Sequence, residues 1–104
     1  MLRPGYAKRF ARDIKRLQRK HTDLAPLREV MSLVIEDSDE ARRILRQLHK
    51  AHRLQGTPFP TDECHVANAG DWLLLWSTRG DMVVFQRTGT HEEVLGNFKD
   101  LTQP

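Results

Sequence analysis

Three histidines, one aspartate and one arginine fall between positions 52 and 91 of this 104-residue chain: His52, His65, Asp71, Arg87 and His91. Imidazoles exchange protons near neutral pH, so two or three of them beside a carboxylate can divide the work of a base and an acid. Arg87 adds a planar fork of donors suited to phosphate oxygens. It leads into Thr88-Gly89-Thr90-His91, where Thr90 as N-cap and Glu93 three residues on fit a capping box. His91 then falls in the first turn of a short helix, where a positive ring is disfavoured and neighbouring N–H groups favour an anion. Such a group can hold a reacting phosphate. Each member also has a plain structural reading: a histidine packed on a strand, Arg87 paired with an acid, Asp71 turning the chain before Trp72.

Metal binding competes for the same side chains. The chain has no Cys-x-x-Cys, no His-x-x-x-His and no Gly-rich ligand loop. Neighbouring Cys64 and His65 on a strand point to opposite faces. Neither a metal nor any other cofactor is expected. A Gly-rich phosphate loop and a Gly-x-Ser-x-Gly elbow are also missing.

The elements that must position these residues follow from periodicity. Over residues 7–20, Phe10, Ile14 and Leu17 recur on one face and cations fill the rest, which predicts an amphipathic helix. Asp23 caps a second helix with Pro26 in its first turn, and Leu24, Leu27, Val30, Met31 and Val34 form its apolar stripe. A third helix spans about 39–50, its N-terminus supplied with acids by Glu36–Glu40 and its apolar side by Ala41, Ile44, Leu45 and Leu48. Gln55–Pro60 breaks regular structure. Strands follow at 63–67, 72–78 and 81–87, the last two joined by Arg79-Gly80. Leu73-Leu74-Leu75 and Met82–Phe85 lack polar alternation, so both are expected as central strands with both faces covered. Trp72 and Trp76 share one face of their strand, which favours core packing over base stacking. Helices first and strands afterwards predict an α+β fold, with the helices on one side of the sheet.

Composition bounds the setting. One domain over 1–104 is expected from the length. A single cysteine excludes an internal disulfide and fits a reducing compartment. Met1–Gly5 is not followed by a signal-peptide core, and no apolar run approaches the ~20 residues that span a bilayer; a cytoplasmic protein without membrane contact is expected. Residues 1–53 hold fourteen Lys/Arg against seven Asp/Glu, and residues 54–104 hold three against seven. The basic N-terminal half favours a polyanionic partner, although a solvated helix face reads the same way.

Four short motifs in order carry a resemblance: His52-Arg53-Leu54-Gln55-Gly56, Glu63-Cys64-His65-Val66, Asp71-Trp72-Leu73-Leu74-Leu75 and Arg87-Thr88-Gly89-Thr90-His91. Together with Phe10–Leu17 they resemble the YafQ-like branch of the RelE/ParE superfamily of bacterial toxins, over roughly residues 6–96, leaving 97–104 as a short C-terminal extension. The resemblance implies a microbial-ribonuclease-like fold, with helices packed on a twisted, mainly antiparallel sheet. It implies messenger RNA cleavage at the ribosome and inhibition by a cognate ribbon-helix-helix antitoxin, with operator DNA reached only through that complex. Family active-site positions fall on His52, His65, Asp71 and His91. Arg87, Trp72 and Leu95 fall at substrate-side positions.

Departures from the family pattern are Asp62 in place of a common Arg, a longer 66–70 loop, Leu95 where Phe is frequent, Trp76 where Tyr is frequent, and an extended Glu36–Lys50 segment. The expected chemistry is attack by the RNA 2′-hydroxyl without a metal. His91 serves as acid, His65 or Asp71 as base (the two roles exchangeable), Arg87 as phosphate clamp, and His52 positions substrate or shares the proton work. Two other readings stand beside it. One is a catalytically weakened toxin fold serving as antitoxin partner and co-repressor. The other is a gyrase-directed ParE-like toxin, disfavoured by the retained histidines.

Overall fold

The computed structural model describes residues 1–67, 70–96 and 98–104. Asn68 and Ala69 of the long 66–70 loop, and Asn97 at the head of the C-terminal extension, lie outside the described residues.

The chain forms β1 (Arg3–Tyr6), α1 (Lys8–Arg19), α2 (Ala25–Glu36), α3 (Asp39–His49), β2 (His52–Arg53), β3 (Thr61–His65), β4 (Leu73–Arg79), β5 (Met82–Gly89) and α4 (His91–Val94). The strands make one sheet in the order β1-β5-β4-β3-β2. Every pairing is antiparallel except β1 with β5. This is the α+β architecture that the sequence predicts, with β4 and β5 central.

Alternation along the strands divides the core between two faces. Cys64, Leu74, Trp76, Val83 and Phe85 point toward the helices and pack with Phe10, Leu27, Val30, Val34 and Leu45. Leu73 and Leu75 point the other way, against Val94, Leu95, Leu54 and Phe98. Phe85 is fully buried, and burial of such a side chain stabilises the fold by about 1.5–3 kcal/mol. The two faces explain the unbroken apolar runs, since both sides of β4 and β5 are covered. Leu48, expected on the apolar side of α3, is 63% exposed instead; α3 buries only Ala41 and Leu45.

Two strands, β1 and the two-residue β2, escaped the sequence reading. In β1, Arg-Pro-Gly-Tyr has no apolar alternation, and its partner lies some eighty residues away. Arg3 pairs with Met82 and Tyr6 with Phe85, so the sheet begins before the expected core boundary at residue 6. The C-terminal extension is also used: the Thr102 N–H donates to Gln86 Oε1 at 2.8 Å. Gln86 is the extra residue of a β-bulge, since Leu75 faces Arg87 and Trp76 faces Phe85. Among the described residues no helix is long and apolar enough to cross a membrane.

Candidate active site

Register brings the catalytic candidates together. His65 pairs with Leu73 across β3 and β4, and Leu73 pairs with Gly89 across β4 and β5. Asp71 lies two residues before Leu73 and His91 two residues after Gly89. All three therefore gather at one end of the sheet, although 26 positions separate the first from the last.

The capping box forms as predicted. Thr90 Oγ1 accepts from the Glu93 N–H, and Glu93 Oε1 accepts from the Thr90 N–H at 2.9 Å. These bonds start α4 and aim His91. The Asp71 carboxylate accepts from the His91 backbone N–H at 2.7 Å and from His91 Nδ1 through the same oxygen. Holding Nδ1 leaves Nε2 as the ring's outward nitrogen, a tautomer assigned from the bonding. The His65 and His91 rings meet edge to face with centroids 5.7 Å apart.

Glu63 is the residue that sequence reasoning missed. It stands two residues before His65 on β3, so both share the face opposite the helices. It is only 4% exposed, and its carboxylate lies 4.0 Å from His52 Nε2. One donor atom each from Glu63, His65 and His91 lies within 4.8 Å of the others. Period-two alternation through Glu-Cys-His was the available signal. The grouping shows no local motif, because its members come from β3 and α4.

His52 borders this group through Glu63, while Arg87, Trp72 and Leu95 are held by other partners. His52 is half exposed at the sheet edge, its Nδ1 on the Lys50 carbonyl at 3.0 Å. Arg87 was expected to clamp phosphate, but its Nε and Nη2 donate to the two oxygens of Asp13 at 2.7 and 3.1 Å. One bidentate edge of the guanidinium, Nε with Nη2, is thus already taken by a carboxylate. The cause is local. Beyond Tyr6 the free edge of β5 is covered by α1, so Asp13 also accepts from the Thr88 N–H, and Arg16 donates to the Thr88 carbonyl. Trp72 packs against the helix-side core with its indole N–H on Thr88 Oγ1 at 2.9 Å. Leu95 packs against Leu73, Leu75 and Val94.

Asp62 lies on the opposite face of β3 from Glu63 and His65, cross-strand from Trp76, and pairs with Arg53 at 2.8 Å. Its charge is matched and does not face the imidazoles. Cys64, the lone cysteine, is fully buried, and burial together with the nearby Glu63 charge pushes its thiol up to about 12, which suits packing rather than nucleophilic chemistry.

Two predictions arise here. Gly89 has φ +154°, and a Cβ there would stand 2.8 Å from Glu93 Oε1 and 2.9 Å from Arg16 Nη2. Gly89→Ala must break the Arg16–Glu93 ion pair or displace α4, so it is expected to cost about 1–3 kcal/mol and to shift the His91 ring resonances. Thermal melting and histidine NMR check this; an unshifted His91 would refute the link. Second, the backbone and ring donors of His91 hold the Asp71 carboxyl below the usual carboxylate range. A depressed folded value stabilises the protein above the unfolded pKa, about 3.9, and that contribution is lost as pH falls through the folded value. The melting difference between the wild type and Asp71→Asn is therefore expected to hold from pH 8 to 5. It should shrink toward zero below about pH 4; a difference unchanged at low pH would count against the tether.

Comparisons with known proteins agree with this fold. The profile of a family described as the bacterial toxin of type II toxin–antitoxin systems, YafQ, matches residues 2–96. The chain is similar to the mRNA interferase toxin YafQ of Escherichia coli strain K12, with 31% identity over 91 residues that span 88% of this chain and 92% of that protein. Among solved structures it is similar to a chain of the crystal structure of the E. coli DinJ–YafQ complex, with a TM-score of 0.77 and 29% identity over 92% of this chain and 100% of that one. It is also similar to a metal-bound toxin from Helicobacter pylori, with a TM-score of 0.77 and 27% identity over 91% of this chain and 100% of that one.

Proposed function

The chain belongs to the YafQ family of bacterial toxins of type II toxin–antitoxin systems, and from that premise we propose that it is an endoribonuclease that cleaves messenger RNA at the ribosome, using imidazole acid–base chemistry and no metal. The observation that carries the reading is the His65–His91 pair with Asp71 behind it: two proton-transfer groups 5.7 Å apart, one of them oriented by a carboxylate.

Cleavage by an internal 2′-hydroxyl needs a base for that proton, an acid for the departing 5′-oxygen and positive charge near the phosphate. His91 presents Nε2 and serves as the acid. His65 serves as the base, because Asp71 is committed to the His91 ring and backbone. His52, half exposed beside Glu63, positions the phosphate or shares the proton work. Arg87 acts from behind, fixing the end of β5 that carries α4.

The toxin works as one domain in the cytoplasm, where ribosomes are found, and is held by a cognate ribbon-helix-helix antitoxin. The E. coli relative is seen in complex with DinJ, and the exposed cations of α1 suit an acidic segment or ribosomal RNA. Operator DNA is reached through that complex. Asp62, paired with Arg53 on the far face, gives no reason to regard the fold as a catalytically weakened partner.

Primer extension on transcripts after induced expression is expected to reveal discrete cleavage and growth arrest. An RNA carrying one 2′-deoxynucleotide at the cut position is expected to resist. Cutting of that substituted RNA would rule out the internal-nucleophile mechanism, and intact transcripts in arrested cells would rule out the nuclease.

A further inference from the structure

Beyond α4 the chain runs across the sheet face opposite the helices, the face that carries Glu63 and His65. Phe98 packs there with Leu54 against the cluster of Leu73, Leu75 and Val94. Further on, the buried Gln86 side chain clamps Thr102 through two bonds. Its Nε2 donates to the Thr102 carbonyl at 2.5 Å, and its Oε1 accepts from the Thr102 N–H at 2.8 Å. Nε2 also donates to Ser77 Oγ at 3.1 Å, which in turn bonds to Thr61 Oγ1 at 2.7 Å. A buried amide needs partners, and Gln86 finds two of them in this extension. The extension is therefore fixed to the sheet rather than trailing from it.

The 54–60 loop stands opposite. It is closed by the Leu54 N–H on the Thr61 carbonyl at 2.9 Å, and the Phe59 carbonyl accepts from the Thr57 and Thr61 hydroxyls at 2.7 and 3.0 Å. Between loop and extension lies an open cleft of about 530 Å³, with Gly56, Thr57 and Pro58 on one wall and Gly96, Phe98 and Lys99 on the other. A Cβ on Gly56 or Gly96 would meet nothing within 4 Å, so both glycines border open space. No carboxylate is among its described lining residues.

The chain itself sets the cleft beside the imidazoles. Gly56 is four residues past His52, and Gly96 is five past His91. Such lengths separate backbone positions by no more than about 14 and 18 Å. The two walls continue the two segments that carry those histidines.

We propose that this cleft is a nucleobase subsite, which receives the base of a nucleotide flanking the scissile phosphate and stacks it on the Phe98 ring. The choice of RNA as ligand rests on the nuclease reading above. A base is a flat ring with apolar faces, joined to an anionic phosphate. An aromatic ring, a proline and two glycines make a slot for the first, and Lys99 without an opposing acid suits the second. Stacking tolerates every base, so the subsite adds affinity and register rather than sequence choice. Register is what decides which phosphate meets His65 and His91. The stack forms in bound substrate and transition state alike, so it lowers KM and leaves kcat nearly unchanged.

The test uses the full-length protein and short RNAs made uncleavable by 2′-O-methylation. Each carries 2-aminopurine, whose fluorescence falls on stacking, at a different position. Binding is followed on the free RNA and on ribosomes programmed with it. Addition of protein is expected to quench one position. Phe98→Leu keeps an apolar side chain against Leu73 and Leu75 but has no ring. It is expected to abolish the quenching and to weaken binding about 5–150-fold, while Phe98→Tyr retains both; circular dichroism and melting confirm each fold. With cleavable RNA, Phe98→Leu should raise KM by the same factor at nearly wild-type kcat. An abasic nucleotide at the quenched position should weaken binding equally, a comparison that needs only the wild-type protein. Undiminished binding of the abasic RNA, quenching that survives Phe98→Leu, or no quenching on either free RNA or ribosomes overturns the subsite. So does a Phe98→Leu variant that loses kcat at unchanged KM. Quenching that depends on Phe98, in a protein that cuts no RNA, upholds the subsite while removing the nuclease.

Discussion

His91→Ala is expected to lower RNA cleavage about 10²–10⁴-fold, the usual loss when a positioned proton-transfer group is removed, while leaving the fold in place. The two halves of that statement rest on different observations. The His91 ring is about half exposed, and its hydrogen bond is to Asp71, so truncation opens no cavity in either core cluster. The backbone N–H of residue 91 still donates to Asp71, and the Thr90–Glu93 box that starts α4 is untouched. Melting temperature should therefore change little while the rate collapses. His91→Gln separates proton transfer from hydrogen bonding, since an amide can bond to Asp71 but cannot act as an acid near neutral pH; it should be as inactive as the alanine variant. Cleavage assays on purified protein, paired with thermal melts, decide the matter. A folded His91→Ala protein that cuts at the wild-type rate would move the acid role to another residue. His65→Ala should fall in the same range, because one proton must leave for each proton delivered.

The sequence made the helices, the β4–β5 hairpin and the Thr90 cap readable because each is encoded within a few residues: a 3.6-residue stripe, an apolar run flanking Arg79-Gly80, a Thr-x-x-Glu spacing. It made His65, Asp71 and His91 candidates but did not say that they meet. That depends on the register of three strands, and one residue of slip would send His65 to the helix side. Glu63 was overlooked because an acid on a strand beside a lone cysteine attracts no notice until the face it shares with His65 is known. Strand β1 was invisible for a related reason: Arg-Pro-Gly-Tyr has no pattern of its own and is fixed by a parallel partner far along the chain. Arg87 is the instructive case. A cation next to a Gly turn and a histidine reads as a phosphate ligand, and its acid partner lies 74 positions away on α1. Asp62, in place of a common Arg, could not be weighed from the sequence, because neither its sheet face nor its Arg53 partner was in view.

That distant acid carries the largest stability effect expected in the molecule. Asp13 is 2% exposed and receives four donors: Arg87 Nε and Nη2, the Thr88 N–H and Arg16 Nη1. Its removal leaves the Arg87 guanidinium, itself 9% exposed, as an uncompensated buried charge, and it strips the partner from an edge amide of β5. Breaking a buried pair in this way costs about 3–5 kcal/mol, a large share of the 5–15 kcal/mol typical of a whole domain. Asp13→Ala is accordingly expected to lower the melting temperature by about 4–8 °C for each kcal/mol lost. Combining it with Arg87→Met removes the stranded charge, and exchanging a buried pair for apolar side chains is often near neutral. The double variant should therefore melt well above Asp13→Ala, yet below the wild type, since Thr88 and Arg16 still lack their acceptor. Chemical denaturation of the four proteins gives the coupling between the two positions. A double variant no more stable than Asp13→Ala would mean that Arg87 is not held by Asp13, and the guanidinium would then be available to phosphate.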